Sequence, residues 1–193
     1  MVVASRFLSL EDFWDFDDGT DTRYELEEGE LRAMPPENDL NLRIASFLII
    51  YFSQVGIPAY RLRIGTEIVV SGTRPTVRVP DLMVLSEELA SILASAGRST
   101  VTMEMPPPEL VVEVVSPGRE NVNRDYRYKR SQYQARGIGE YWIVDPIEGK
   151  ITILSLVEGL YEESVFTGDT EIVSAFLPSG VSLTAARVLQ TGV

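Results

Sequence analysis

The sequence predicts an α/β (α+β) fold: a β-sheet with helices on its faces, an N-terminal hairpin and C-terminal strands. Short apolar runs of strand length, such as 80–85, 109–116 and 140–144, are interspersed with segments of helical period. The clearest helical segment repeats its apolar residues at Leu40, Ile44, Phe47, Leu48, Tyr51 and Val55. No repeat, low-complexity stretch or long linker divides the chain, so one domain is expected over residues 1–193.

The elements follow in order. Ser9-Leu-Glu-Asp12 fits a capping box that opens a short helix to about Phe16. Residues 23–34 alternate around Gly29 and read as a hairpin, ended by Pro35-Pro36. Asn38 or Asp39 caps the next helix, and Gly56 stops it. Strands are expected near 59–64 and 67–71. After the turn Gly72-Thr-Arg-Pro75, one strand is expected over 77–85. Residues 87–96 read as a helix and 103–108 as a proline-rich loop. Residues 109–116 read as a strand buried on both faces, stopped by Ser116-Pro-Gly118. Residues 123–136 are helical, with Gly137 as the stop. Strands over 140–144, 151–156 and 161–166 follow, the last two turning at Glu158-Gly159, and a helix closes the fold over 184–189.

Composition narrows the chemistry. The chain has no cysteine and no histidine. This excludes disulfides, thiolate nucleophiles, Ser-His and Cys-His arrangements, and imidazole as base or ligand. Carboxylates, Lys, Arg, Tyr and hydroxyls remain, an inventory that suits hard cations bound through oxygen. No apolar stretch is long enough to span a bilayer, and the N-terminus lacks a basic region followed by an apolar run, so a cytoplasmic protein without a membrane segment is expected.

The strongest local signal is a charge in an apolar strand. Glu113 lies in the middle of Glu109-Leu-Val-Val-Glu-Val-Val-Ser116, where an unpaired carboxylate costs several kcal/mol. Val111, Glu113 and Val115 share one strand face. A second acid, Asp81, stands at the mouth of the apolar run Leu82–Leu85. Two carboxylates brought together repel unless a cation or a shared proton settles them, and a divalent metal is the simplest resolution. The alternative is that Glu113 faces solvent or pairs with an arginine. On the following helix Asp125, Lys129 and Tyr133 recur at i, i+4 and i+8 on one face. That face either aims Lys129 at the two acids or carries a plain exposed Asp–Lys pair.

The net charge of −12 argues against a whole-surface nucleic-acid binder. Residues 119–136, however, carry a balance of +4, through Arg119, Arg124, Arg127, Lys129, Arg130 and Arg136 against Glu120 and Asp125. One basic segment therefore stands on an acidic body. It reads as a backbone-tracking face or as an ordinary solvated helix.

The run Pro80-Asp81, then Pro106-Pro-Pro-Glu-Leu-Val-Val-Glu-Val-Val-Ser-Pro-Gly118, then the stretch from Asn123 to Pro146, resembles the cyanobacterial branch of the Uma-two family, within the PD-(D/E)XK restriction-endonuclease-like superfamily. Tyr24-Glu-Leu-Glu-Glu-Gly-Glu-Leu31 and the helix after Pro36 resemble it too, so the likeness covers roughly residues 20–190. The resemblance implies a restriction-endonuclease-like core, with a central mixed β-sheet flanked by helices. It implies Asp81 and Glu113 as the two acids of the nuclease motif, with the Val114 backbone carbonyl as a further metal ligand. The superfamily has lysine two residues after the second acid. That position is Val115 here, and the resemblance makes Lys129 its substitute. Glu25 matches an acid recurrent in the family's hairpin, and Asn41 stands where many members have histidine. Asp125 and Tyr133 are accessory candidates.

The expected function is accordingly an Mg²⁺- or Mn²⁺-dependent endonuclease acting on DNA, with RNA not excluded. Asp81 and Glu113 hold the metal, Lys129 assists, and Arg119, Arg124, Arg127 and Arg130 track phosphates. A homodimer is expected from the resemblance. The alternative is a non-catalytic nucleic-acid-binding or assembly protein on a nuclease-like fold, which the −12 charge and Val115 favour.

Overall fold

The computed structural model describes residues 7–36 and 38–190. The capping box forms as the sequence implies. Ser9 Oγ accepts from the Asp12 amide, Asp12 accepts from the Ser9 amide, and helix α1 runs over Leu10–Trp14. Strands β1 (Tyr24–Glu27) and β2 (Glu30–Ala33) form the hairpin, and Glu28 and Gly29 at its turn both take positive φ, 51° and 80°. That handedness matches the twist of the flanking strands. The Asn38 side chain accepts from the Asn41 amide and caps α2, Asp39–Gln54.

A 3₁₀ turn, Ala59–Arg61, leads into β3 (Leu62–Arg63). Then come β4 (Glu67–Val70), β5 (Thr76–Arg78), β6 (Leu82–Val84), α3 (Glu87–Ala94), β7 (Thr100–Val101) and β8 (Leu110–Val114). The helix expected over 123–136 starts earlier and is compound: α4 (Arg119–Asn123), a π-helical stretch (Arg124–Lys129) and α5 (Arg130–Arg136). Gly137, at φ 79°, ends it. Strands β9 (Glu140–Asp145), β10 (Lys150–Val157) and β11 (Leu160–Thr167) and helix α6 (Ala185–Leu189) complete the order. Among the described residues no helix is long and apolar enough to cross a membrane.

The strands divide into two mixed sheets, β2-β1-β5-β4-β7 and β11-β10-β9-β8-β6-β3. The α/β class with flanking helices holds, but the single strand expected over 77–85 is two strands in different sheets. The break falls at Val79-Pro80-Asp81. Pro80 has no N–H for a ladder and forces Val79 to stay extended, so the chain leaves the first sheet after β5 and enters the second at β6. Asp81 therefore stands at the crossing between the sheets.

Alternation along the strands sets the layers. Leu82, Val84, Leu110, Val112, Val114, Trp142 and Val144 pack against Ile44, Leu48 and Phe52 of α2 and Val188 of α6. The opposite face of the second sheet, with Met83, Val111, Val115, Tyr141 and Ile143, packs against α3, Tyr133 of α5, and Ile68 and Val70 of β4. The far face of the first sheet, with Leu26, Val69 and Val77, packs against Phe13 of α1. The residues between these on β1 and β5, namely Glu25, Glu27 and Arg78, are thereby directed inward, toward the Glu113 face of β8.

Candidate active site

The site forms where those inward polar residues meet β8. Glu113 is buried, as are Asp125, Lys129 and Tyr133 on the facing helix. Lys129 Nζ stands 2.7 Å from Glu113 Oε2, and the Tyr133 hydroxyl donates to Glu113 Oε1 at 2.7 Å. Lys129 Nζ also lies 3.4 Å from Asp125 Oδ1, and Arg124 Nε donates to the same oxygen at 3.5 Å. The Tyr141 hydroxyl donates to the Asp125 backbone carbonyl at 3.0 Å, tying the π-helical stretch to β9. Asp125, Lys129 and Tyr133 thus occupy one buried face, as their spacing suggests.

Asp81 reaches the same place from the sheet crossing. Its Oδ2 accepts from the Val114 amide at 2.6 Å. The β6 ladder pairs Leu82 with Val112, so the Val114 amide lies just past that ladder's end, and the Asp81 carboxylate takes the bond. The Val114 carbonyl accepts from Asn41 Nδ2 at 3.1 Å, and the same amide donates to Ser116 Oγ at 3.0 Å. Glu25 Oε1 accepts from the Val79 amide and its Oε2 from Arg78, both at 3.0 Å. A cleft of about 80 Å³ is lined by Glu25, Asp81, Glu113, Val114 and Lys129, with Arg124 on its helix side and Arg32 on its hairpin side.

The arginines of the basic segment diverge. Arg124 lines the cleft, Arg119 and Arg127 are exposed, and Arg130 pairs with Glu163 of β11 at 2.6 Å. Sequence reasoning missed Arg78. It is fully buried, bonding Glu25, Glu27 at 2.8 Å and Gln132 of α5 at 3.0 Å. Its signal was the one that marked Glu113, a lone charge in an apolar strand, Thr76-Val-Arg-Val79. Arg32 was missed as well, because nothing in its sequence context distinguishes it from an ordinary hairpin charge.

The electrostatics are those of a crowded acid cluster. Burial raises the Glu113 carboxyl to about 8. The Lys129 ammonium opposes this, while Asp81, Asp125 and Glu25 add to it. Burial also works against charge on Lys129, but Glu113, Asp125 and Glu25 outweigh it and keep the ammonium protonated, above its ordinary value. At Glu25 burial is likewise outweighed, by Lys129 and Arg78, so its carboxyl stays below the usual range. Burial beside Glu113 holds the Tyr133 phenol well above its ordinary value, as a neutral donor.

The donor set fits a small hard cation. The Asp81 and Glu113 carboxylates line one cleft with Val114, and carboxylate oxygens are the donors such a cation takes. Among the described residues no three acidic side chains group as a full metal cage. Mg²⁺ is commonly bound through one or two carboxylates, waters and a substrate phosphate rather than by such a cage.

A family model named Uma2, described as "Putative restriction endonuclease", matches residues 6–186. Among solved structures, the chain is similar to "a putative nuclease belonging to DUF820" from Anabaena variabilis ATCC 29413, with a TM-score of 0.70, 17% identity, and coverage of 95% of this chain and 98% of that one. At that identity the likeness speaks for the fold. No curated protein matches.

Proposed function

The chain belongs to the Uma2 family, and from that premise we propose that it is a metal-dependent endonuclease that hydrolyses phosphodiester bonds in DNA. The observation that carries the reading is the convergence of Asp81, Glu113 and Lys129 on one cleft, with the lysine ammonium 2.7 Å from the second acid. That arrangement supplies from a helix the cation that the nuclease motif otherwise places at position 115, which is valine here.

Asp81, Glu113 and the Val114 carbonyl would hold Mg²⁺ or Mn²⁺, which when bound polarises a phosphate and makes coordinated water more acidic. The remaining work falls to the chain itself. The Asp81 side chain is braced by the Val114 amide. Tyr133 and Lys129 orient Glu113, and the Lys129 ammonium, held between Glu113 and Asp125, would also offset charge that develops on the phosphoryl oxygens. Asn41 holds the Val114 carbonyl in place from α2. The same reading carries a homodimer in the cytoplasm, and light scattering checks the stoichiometry.

The test is cleavage of plasmid and single-stranded DNA with Mg²⁺ or Mn²⁺, by the unchanged chain and by Glu113→Ala. Cleavage that disappears with the substitution and with chelation supports the proposal. One observation favours the non-catalytic alternative: both Glu113 oxygens already have protein partners, Tyr133 and Lys129. That reading expects no cleavage, and DNA binding by Glu113→Ala equal to that of the unchanged chain.

A further inference from the structure

Resting on the nuclease reading, we propose that Arg32 is a substrate-positioning residue, which with Arg124 holds the sugar-phosphate backbone of the nucleic acid at the mouth of the cleft. The difficulty that calls for such a residue is electrostatic. The cleft is lined by Glu25, Asp81 and Glu113 in a protein of net charge −12, and a polyanion approaching it is repelled. The interior cations do not relieve this, because Lys129 and Arg78 have side chains 3% and 0% exposed and are bound to buried carboxylates. Entry requires cations at the rim.

The cleft lining holds two that reach solvent. Arg124 comes from the π-helical stretch, with its side chain 34% exposed. Arg32 comes from β2, with its side chain 64% exposed. The hairpin register puts Arg32 directly across from Glu25, on the face of the first sheet that looks into the cleft. Its neighbour Leu31 points the other way, into the cluster around Phe13.

Arg32 is also steered. Its Nε lies 3.2 Å from Glu27 Oε2, while Glu27 Oε1 is held by the buried Arg78. An arginine anchored through Nε on a carboxylate that is itself anchored presents its outer edge in a defined direction. The guanidinium fork suits a phosphodiester, to which it can donate two parallel bonds. The assembly gives the acidic cleft one cationic arm from the hairpin and one from the helix.

The experiment is fluorescence anisotropy of a short labelled DNA duplex with the full chain, over a series of KCl concentrations, in EDTA and again in Ca²⁺. Arg32→Ala is expected to weaken binding about tenfold at low salt and to lower the slope of log affinity against log salt by about 0.9, the signature of one lost phosphate contact. Arg32→Lys keeps the slope, Arg124→Ala lowers it similarly, and Arg187→Ala on α6 leaves it unchanged. Since Arg32 is a surface residue, Arg32→Ala should melt within a few degrees of the unchanged chain. A slope and affinity for Arg32→Ala equal to those of the unchanged chain overturn the assignment and leave the nuclease reading standing. No binding of the duplex by the unchanged chain overturns both.

Discussion

The Lys129 ammonium stands 2.7 Å from the Glu113 carboxylate, and both side chains are buried. Neither is tolerable there alone. Glu113 is on a strand whose neighbours are valines, and Lys129 is on a helix packed against that strand, so each supplies the counter-charge that desolvation demands of the other.

Lys129→Met therefore has a double consequence. Cleavage is expected to be lost, and the fold to lose up to about 3–5 kcal/mol where the Glu113 carboxyl is ionised, because that buried group loses its ammonium partner and keeps the Tyr133 hydroxyl as donor. Adding Glu113→Gln to Lys129→Met should restore part of that stability without restoring cleavage. Urea denaturation of the single and double variants measures the coupling.

Acidity gives the second prediction. The folded Glu113 carboxyl is raised to about 8, and an unfolded glutamate titrates near 4.3. Between those values the folded state binds the additional proton. Its contribution to stability is complete below the lower value and is lost as pH rises through about 8. In EDTA, stability should fall as pH rises from about 5 to about 8, and Glu113→Gln should flatten that fall. Chemical denaturation at several pH values checks it.

Divalent metal should reverse that trend. A cation bound to the folded state alone stabilises it by an amount set by its concentration relative to Kd, about 2.7 kcal/mol at a hundredfold excess over Kd. Mg²⁺ should raise the Tm of the unchanged chain, more at pH 8 than at pH 6, since the ligand form of Glu113 is the ionised one. Asp81→Asn and Glu113→Gln should abolish the shift, which differential scanning fluorimetry reads.

Arg78 ties three elements through Glu25, Glu27 and Gln132. Arg78→Met leaves Glu25 buried without its guanidinium partner and should cost about 3–5 kcal/mol. Arg78→Lys, lacking the fork, should recover only part of this. Thermal melting of the two variants orders them.

Asn41→Leu removes the donor to the Val114 carbonyl and to Ser116 Oγ. The expected loss is about 1–3 kcal/mol, with a lower metal affinity by calorimetry, because the carbonyl is no longer held.

Much of this site could be read from residue order, and the reason is local physics. Glu113 announced itself because a charge among valines violates burial. Asp125, Lys129 and Tyr133 did so because a helix repeats every four residues or so. The caps at Ser9 and Asn38 and the stop at Gly137 depend on neighbours in sequence, and all three form. Other features were not legible. Pro80 and Asp81 interrupt the run Val77–Leu85 in plain view, but the decision to place β5 and β6 in different sheets depends on which partners each strand finds. The π-helical stretch depends on packing against β9, which no local pattern encodes.

The sequence by itself determined the α/β class and singled out Glu113 and the helix face that carries Lys129, because burial and periodicity leave marks within a few residues, while the family was legible in the order of its motifs. Only the tertiary structure decided that Asp81 would be braced by the Val114 amide, that Arg78 would anchor Glu25 and Glu27, and that Arg32 would stand at the cleft mouth. Those relationships join residues distant in the chain. They follow from the register of one hairpin and the crossing between two sheets, and register and crossing are set by packing of the whole rather than by any single stretch.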